Sequence, residues 1–143
     1  MSYSLEAVIG GGVAVERAAA ACGGGSAVAL EGGLSLLPLV DRVREGIDRR
    51  FPEAGTGAMG HWLREVSSAG RLAYVGAEFW GGQGAQWSLV EERGEILLSS
   101  DSIDAINLAL RLLGVVAEEG KDEFDTVGLG RHRRTERWAG GQP

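Results

Sequence analysis

The sequence is poor in the residues that usually carry metal or redox chemistry, because it has one cysteine and two histidines. A single cysteine, Cys22, excludes a disulfide framework and a thiolate metal cluster within these residues. Its apolar neighbours predict a buried structural thiol rather than a reactive one. The two histidines, His61 and His132, lie in unrelated settings and do not form a metal-binding pattern. We therefore expect no metal site.

Long apolar runs are also missing. The longest, residues 35–43 and 108–117, are interrupted by charge or glycine. A membrane-spanning helix needs roughly 20 apolar residues, so no membrane-embedded segment is expected. Residues 1–6 have no basic stretch and carry an early carboxylate, unlike a secretory signal. Together with the scarcity of cysteine, these features predict a cytoplasmic protein.

The size and composition that are present fit one ordinary globular domain. The chain has 143 residues, of which 44% are hydrophobic. That length is close to the usual size of one domain, so residues 1–143 are predicted to share one core. Glycine is abundant, with 24 residues placed between apolar runs. This placement is typical of turns and helix ends.

The charge is divided unevenly along the chain. Residues 1–130 hold 19 acidic and 10 basic side chains, a net charge of −9, whereas residues 131–143 hold 4 basic and 1 acidic, a net charge of +3. An acidic body repels phosphate backbones, which argues against nucleic acid as the main partner. Residues 127–143 are predicted to be a basic, aromatic C-terminal segment that docks on the body or on a partner. In the first case, we expect its arginines to pair with the acids of residues 118–125, and Phe124, Leu129 and Trp138 to anchor it.

The hydrophobic pattern predicts an α+β fold, in which an antiparallel sheet containing a meander packs with about four helices. Residues 71–80 are apolar on both faces and predict a central strand, followed by strands 85–91 and 95–99. Residues 3–9 and 26–30 are also predicted as strands. Helices are expected over residues 13–22, from Pro38 to about residue 51, along the stripe of residues 59–66, and after Asp101, with Ile103 facing the core.

Two stretches suggest ligand sites but fail the known patterns. Residues 10–12 are three glycines between a predicted strand and a helix, yet neither the dinucleotide nor the phosphate-loop spacing follows. The acids of residues 118–125 lack the alternating ligand spacing of a calcium loop. We interpret the first as a tight turn and the second as a solvated acidic turn, and we expect no cofactor.

The stretch with the strongest indication of a working surface is the hairpin around Gly81 and Gly82, where tryptophans flank a glycine-rich turn next to acidic residues. Tryptophan is enriched at binding hot spots. The predicted partner-binding residues are Glu78, Trp80, Gln83, Gln86, Trp87, Glu91 and Glu92. The alternative is that these aromatic residues pack into the core at the end of the hairpin.

Two stretches of the C-terminal half resemble known proteins. Residues 74–90 (YVGAEFWGGQGAQWSLV), together with residues 106–115 and 122–138, are similar to small proteins of Streptomyces-like actinobacteria. The resemblance implies no activity and no catalytic residues. A more general similarity, in size, acidity and lack of catalytic motifs, is to immunity proteins that neutralise bacterial toxins.

Three hypotheses follow. The first is a non-catalytic protein-binding module, an immunity protein that captures a basic toxin domain on an acidic, aromatic surface. The second is a homo-oligomeric structural module whose C-terminal segment docks on a neighbouring copy. The third is a small enzyme, which requires a deep pocket that joins Glu78, Gln83, Gln86 and a histidine. We favour them in that order.

Overall fold

In a computed structural model, the chain is described for residues 2–23 and 25–140. Residues 141–143 of the predicted C-terminal segment lie outside this range. The strands are β1 (Ser2–Gly11), β2 (Val28–Ala29), β3 (Leu34–Pro38), β4 (Leu72–Trp80), β5 (Gln83–Glu92) and β6 (Glu95–Ser100). The helices are α1 (Gly12–Ala21), α2 (Asp41–Arg50), α3 (Ala58–Val66), α4 (Ala105–Leu112), α5 (Glu123–Val127) and α6 (Thr135–Gly140). This arrangement confirms the α+β fold class.

The six strands form one sheet in the order β2-β3-β1-β4-β5-β6, and every pair of neighbouring strands is antiparallel. The central strands are β1 and β4, which pair from Ser2 opposite Trp80 to Gly10 opposite Leu72. Both are apolar on both faces over most of their length, because helices cover the sheet on its two sides. The predicted central position of residues 71–80 is therefore confirmed.

One face of the sheet, termed the closed face, is covered by α4, α5 and α6. Its core includes Leu5 and Val75 from the sheet, Ile106 from α4 and Trp138 from α6. Burial of large apolar side chains such as these contributes roughly 1.5–3 kcal/mol each, before the entropy of ordering is subtracted. This face therefore holds the C-terminal part of the chain on the sheet.

The other face, termed the open face, is covered by α1, α2 and α3 over only part of its area. The second core lies under these helices and includes Val8 and Leu72 from the sheet with Trp62 and Leu63 from α3. Toward the turn between β4 and β5 the cover ends, and Glu78 and Trp80 are exposed to solvent. The sheet thus keeps one uncovered corner.

Two-residue turns join the strands of the meander. Gly81 and Gly82 connect β4 to β5 with φ angles of 53° and 85°, and Arg93 and Gly94 connect β5 to β6 with φ angles of 52° and 79°. Positive φ at both positions defines the type I′ turn, whose twist matches that of the flanking strands. The turn that the sequence predicts over residues 81–84 is thus shorter, because β5 begins at Gln83.

Several predicted element boundaries are wrong. Pro38 does not begin a helix but ends β3, where it pairs with Ala7, and α2 begins at Asp41. The strand predicted over residues 26–30 contracts to Val28–Ala29. Helix α4 begins at Ala105 rather than after Asp101, which leaves Ile103 89% exposed instead of facing the core. The described part of the chain has six helices rather than about four, because α5 forms just before the C-terminal segment and α6 forms within it.

The C-terminal segment docks on the body of its own chain. Leu129 and Trp138 are 0% and 1% exposed, and Phe124 packs against the same core. The Ser4 amide donates a hydrogen bond of 2.8 Å to the Arg133 carbonyl. The segment is therefore part of the core, and one isolated bridge, between Ser4 and Arg134, joins it to the start of β1.

The predicted ion pairs between the acidic turn and the arginines of this segment are wrong. Glu123 pairs instead with Arg111 of α4, at 2.8 Å, and Arg131 lies 3.6 Å from Glu31. Buried apolar side chains and main-chain bonds, rather than these ion pairs, hold the segment on the body.

Candidate functional site

The uncovered corner of the open face is the candidate site, and strand alternation decides which side chains it presents. Glu78 and Trp80 on β4 lie opposite Ala85 and Gln83 on β5. Residues that lie directly opposite in an antiparallel pair point to the same face. Trp80 is 72% exposed, a large fraction for an indole side chain. The corner therefore displays an aromatic side chain beside a carboxylate.

Trp87 forms the floor of this corner. It pairs with Gly76 across the β4–β5 ladder, and its indole ring lies over the glycine. A Cβ atom added to Gly76 would come within 2.2 Å of the Trp87 Cε2 atom. Glycine is therefore the only residue type at position 76 that allows the indole ring to lie against the β4 backbone. Trp87 is half-buried in this position.

Polar contacts fix the orientation of this ring. The Trp87 Nε1 donates to the Tyr74 hydroxyl at 3.4 Å, and the Tyr74 hydroxyl donates to Glu6 Oε2. The other oxygen of Glu6 accepts a hydrogen bond from Arg44 of α2. The chain of contacts therefore runs from the floor of the corner to the nearest helix, and it limits the freedom of the ring before any partner binds.

Two shallow depressions flank Trp87. One, of about 420 Å³, lies toward β6 and is lined by Tyr74, Leu89, Ser99 and Asp101 among others. The second, of about 310 Å³, lies toward β1 and α2, and its charged lining residues are Glu6, Asp41, Arg44, Glu78 and Glu136. Acids outnumber the one base there, so the corner attracts cations. In the described residues Glu78 takes part in no ion pair.

The structure brings together four of the seven predicted partner-binding residues. Glu78, Trp80, Gln83 and Trp87 share the open face. Gln86 points to the closed face, where its Oε1 accepts a hydrogen bond of 2.7 Å from the Ile106 amide in the first turn of α4. Because the first amides of a helix lack partners within the helix, Gln86 has a structural role at that helix end.

Glu91 and Glu92 do not belong to the corner either. Glu92 pairs with Arg71 at 3.1 Å, and Arg71 also donates to the carbonyl of Leu112 near the end of α4. Glu91 is 2% exposed, and its Oε1 has no hydrogen-bond partner among the described residues. Burial raises the pKa of the Glu91 carboxyl, and the nearby charge of Arg64 opposes this shift only in part.

Sequence reasoning missed Glu6, Tyr74 and Arg44. A signal for the first was present, since Glu6 is the one charged residue of the strand β1 and faces the same side as Val8. A carboxylate on a central strand requires a partner, which indicates a polar site. No signal in the local sequence identifies Arg44, because its contact with Glu6 depends on how α2 crosses the sheet.

The other candidate residues are engaged in packing. His61 stacks on Phe51 with ring centroids 5.8 Å apart, and His132 meets the edge of Trp138 at 4.7 Å. The Cys22 thiol is buried and donates to the Ala19 carbonyl. Within residues 2–23 and 25–140, no group of three or more histidine, cysteine or acidic side chains is arranged to hold a metal ion.

Among the described residues, the side chains that the enzyme hypothesis requires in one pocket lie apart. The depression that Glu78 lines contains neither Gln83 nor Gln86, and no histidine. Gln86 lies on the opposite face of the sheet from Glu78. The four polar residues therefore do not converge on one reacting group.

Comparison of the chain with protein-family models, with curated proteins and with solved structures gives no match. In the part of the chain that the structure describes, every helix is too short or too polar to cross a membrane.

Proposed function

We propose that the chain is a non-catalytic protein-binding module, an immunity protein that neutralises a basic toxin domain of bacterial origin. The observation that carries the proposal is the uncovered corner of the sheet, where exposed Trp80 lies on the same face as Glu78 and half-buried Trp87. Tryptophan is enriched at the hot spots of protein-binding surfaces, and Glu78 beside it adds a charge that a basic partner would complement.

The charge of the chain supports a basic partner. The net charge is −6, and acids predominate around the depression between β1 and α2. Complementary potentials accelerate association and exclude partners of like charge. A toxin domain with a basic substrate-binding surface has the opposite charge, so the corner would both attract it and block it.

The rigidity of the corner supports the same proposal. Trp87 is held over Gly76 and through Tyr74 and Glu6 to Arg44. A side chain that is ordered before binding loses less entropy when the partner arrives. The corner therefore resembles a preformed binding surface rather than a stretch of core that lacks its cover.

The test begins with the neighbouring genes: the proposal predicts that one of them encodes a toxin domain, and that domain is co-expressed with this chain. We expect restored cell growth and a complex of the two purified proteins whose association rate falls as salt is added. Trp80→Ala and Glu78→Lys should each weaken the complex by roughly tenfold or more, because Trp80 is an anchor and Glu78 an acid of the corner.

A third variant tests the floor of the corner without removing any contact atom. Gly76→Ala should displace the Trp87 ring, which tryptophan fluorescence would report, and should weaken the complex. Glu119→Lys is the matched control for Glu78→Lys, since Glu119 is an exposed acid outside the corner. If Glu119→Lys weakens the complex as much as Glu78→Lys, the corner is not the binding surface. If the chain neither restores growth nor binds the toxin domain, the immunity function is wrong.

A further inference from the structure

Strand β5 is longer than the strand on its outer side. It pairs with β4 from Gln83 to Glu91, but β6 pairs only with the part from Ser88 to Glu92. Residues 83–87 therefore have no strand beside them on the outer side in the described part of the chain. We term these five residues, which adjoin the candidate corner, the vacant half-edge.

The same situation arises on β1, with a different outcome. Strand β3 pairs with β1 only from Ala7 to Gly11. Apart from one bond, from the Leu39 amide to the Glu6 carbonyl, the part of β1 before Ala7 has no partner from β3 on that side. The C-terminal segment fills this gap, since Ser4 pairs with Arg134 and its amide donates to the Arg133 carbonyl. The part of β1 before Ala7 is therefore bordered by another segment of the same chain, whereas residues 83–87 of β5 have no such neighbour in the described part of the chain. We term these two parts the surplus half-strands.

The backbone of the vacant half-edge is free to bond. Trp80 and Gln83 flank the two-residue turn and bond to each other, so the alternate residues Gly84 and Gln86 direct their N–H and C=O groups outward. No described residue bonds to these main-chain groups on the outer side. Gly84 has no side chain, and that of Gln86 turns to the closed face, so neither covers the edge.

Exposed apolar side chains accompany this edge. Two of the six exposed large apolar residues of the described chain lie near it: Trp80, beside the turn that precedes Gln83, and Ile103. Ile96 and Leu97 are also exposed, but they lie toward the far end of β6, where Ile96 pairs with Glu91. Ile103 lies close to the half-edge because Ala105 and Ile106, just after it, bond to the side chains of Ser88 and Gln86. An exposed edge with apolar neighbours is the usual template for strand addition.

The charges next to the edge select the kind of strand. Glu78 lies on the neighbouring strand β4, and Asp101 and Asp104 follow the point where β6 ends. A second copy of this chain would bring the same acids and a net charge of −6 against them. Self-pairing is therefore opposed by like charge, whereas a basic segment is attracted.

We propose that the vacant half-edge receives an extended, basic segment of the partner protein as an added strand of the sheet. This inference deepens the proposed function and rests on it. Main-chain bonds to Gly84 and Gln86 would provide affinity without reading the partner's sequence. Trp80, Trp87 and Glu78 on the open face would select apolar and basic side chains at alternate positions of the added strand.

The first measurement is hydrogen exchange, residue by residue, in the free protein. The amides of Gly84 and Gln86 should exchange rapidly, whereas those of Ser4 and Ser88 should be protected by their strand neighbours. Protection of Gly84 and Gln86 in a monomer of confirmed mass would mean that the chain fills the edge itself, and this outcome overturns the inference.

The second measurement uses a synthetic peptide of roughly eight residues that alternates lysine with valine. Binding should slow the exchange of the Gly84 and Gln86 amides. A peptide of the same composition with alternate amides N-methylated keeps the charge but cannot form the main-chain hydrogen bonds of an added strand. Its affinity should be lower by roughly tenfold or more. A peptide that alternates glutamate with valine should leave these amides unchanged.

The outcomes separate this inference from the proposed function. Equal binding of the lysine peptide and its N-methylated form, or no effect at Gly84 and Gln86, overturns strand addition. Dimerisation of the free protein with protection of these two amides assigns the edge to a second copy and overturns it as well. In either case, growth rescue by the chain and loss of rescue in Trp80→Ala would still support the immunity function.

Discussion

The two surplus half-strands of the sheet, one on β1 and one on β5, differ in what lies beside them. The part of β1 before Ala7 is bordered by residues of the C-terminal segment, and its backbone bonds are made. The part of β5 before Ser88 has open backbone and exposed apolar neighbours. Unpaired strand edges favour aggregation and are usually protected. This fold covers one such edge and leaves the other open beside an acidic, aromatic corner. Under the proposed function, the covered edge contributes stability and the open edge contributes binding.

The largest expected effect on stability comes from removing the Trp138 side chain, which anchors the C-terminal segment beside β1. Trp138→Ala should lower the free energy of unfolding by about 3–5 kcal/mol, because the indole is fully buried between the C-terminal segment and the sheet. The Ser4 amide should then exchange faster, since its acceptor at Arg133 is released.

Chemical denaturation measures the first change and hydrogen exchange the second. Trp80→Ala is the matched control on the open side, where an indole that is 72% exposed should change stability by no more than about 0.5 kcal/mol. Comparable losses in the two variants would contradict the division between a structural and a binding edge.

A smaller effect on stability is expected when only the hydrogen bonds between the C-terminal segment and β1 are removed. The Thr135 hydroxyl accepts from the Glu6 amide at 3.0 Å and donates to the Ser4 carbonyl at 3.4 Å. Thr135→Val keeps the shape but leaves the amide without its acceptor, which should cost about 1–2 kcal/mol of unfolding free energy.

The matched control is Thr126→Val. Thr126, in α5, also makes two main-chain bonds, to Glu118 and Asp122, but both bonds lie at the protein surface, where water can replace them. Denaturation of both variants should show the greater loss at Thr135. Equal losses of unfolding free energy would mean that the bonds of Thr135 to β1 contribute no more to stability than those of Thr126 at the surface.

The smallest effect concerns the paired half of β5 and depends on pH. Because burial raises the pKa of Glu91 in the folded state, the unfolded chain loses this proton first as the pH rises above the ordinary value of 4.5. The folded state is then left with more bound protons, so the free energy of unfolding falls through that range. Glu91→Gln cannot ionise and should not show this decline.

The opposite dependence is expected at Glu123. Its hydrogen bond from Arg111 lowers the pKa of the Glu123 carboxyl, so the stability that it contributes is present above the ordinary pKa and is lost as the pH falls. Denaturation across pH 4 to 8 should therefore give differences of opposite sign for Glu91→Gln and Glu123→Gln. Differences of the same sign would show that burial does not control Glu91.

The meander was predictable from the sequence because its signals are local. Glycines at both turns and apolar residues on both faces of β4 specify three strands and their order. The fold class and the docking of Trp138 followed from similar patterns. Four of the residues predicted for the corner share a face for the same reason, since alternation along a hairpin fixes the side on which each residue lies.

The rest depends on contacts between distant parts of the chain. Strand β3 was missed because a strand buried on both faces does not alternate apolar with polar residues. Proline is also common at the start of a helix, which made Pro38 a misleading signal. The burial of Glu91 requires cover from α3, and the contact of Arg44 with Glu6 requires a particular crossing of α2. The vacant half-edge arises because β5 is longer than β6, and no local sequence pattern predicts such a difference in strand length.

The seam between β1 and the C-terminal segment has a consequence for biosynthesis. The contacts that complete the start of the sheet join residues 126 to 131 positions apart, such as Tyr3 with Leu129 and Ser4 with Thr135. A ribosome releases the first strand long before it makes the residues that border it. Until then the start of β1 lacks this neighbour, and an unpaired strand edge of this kind favours pairing with other strands.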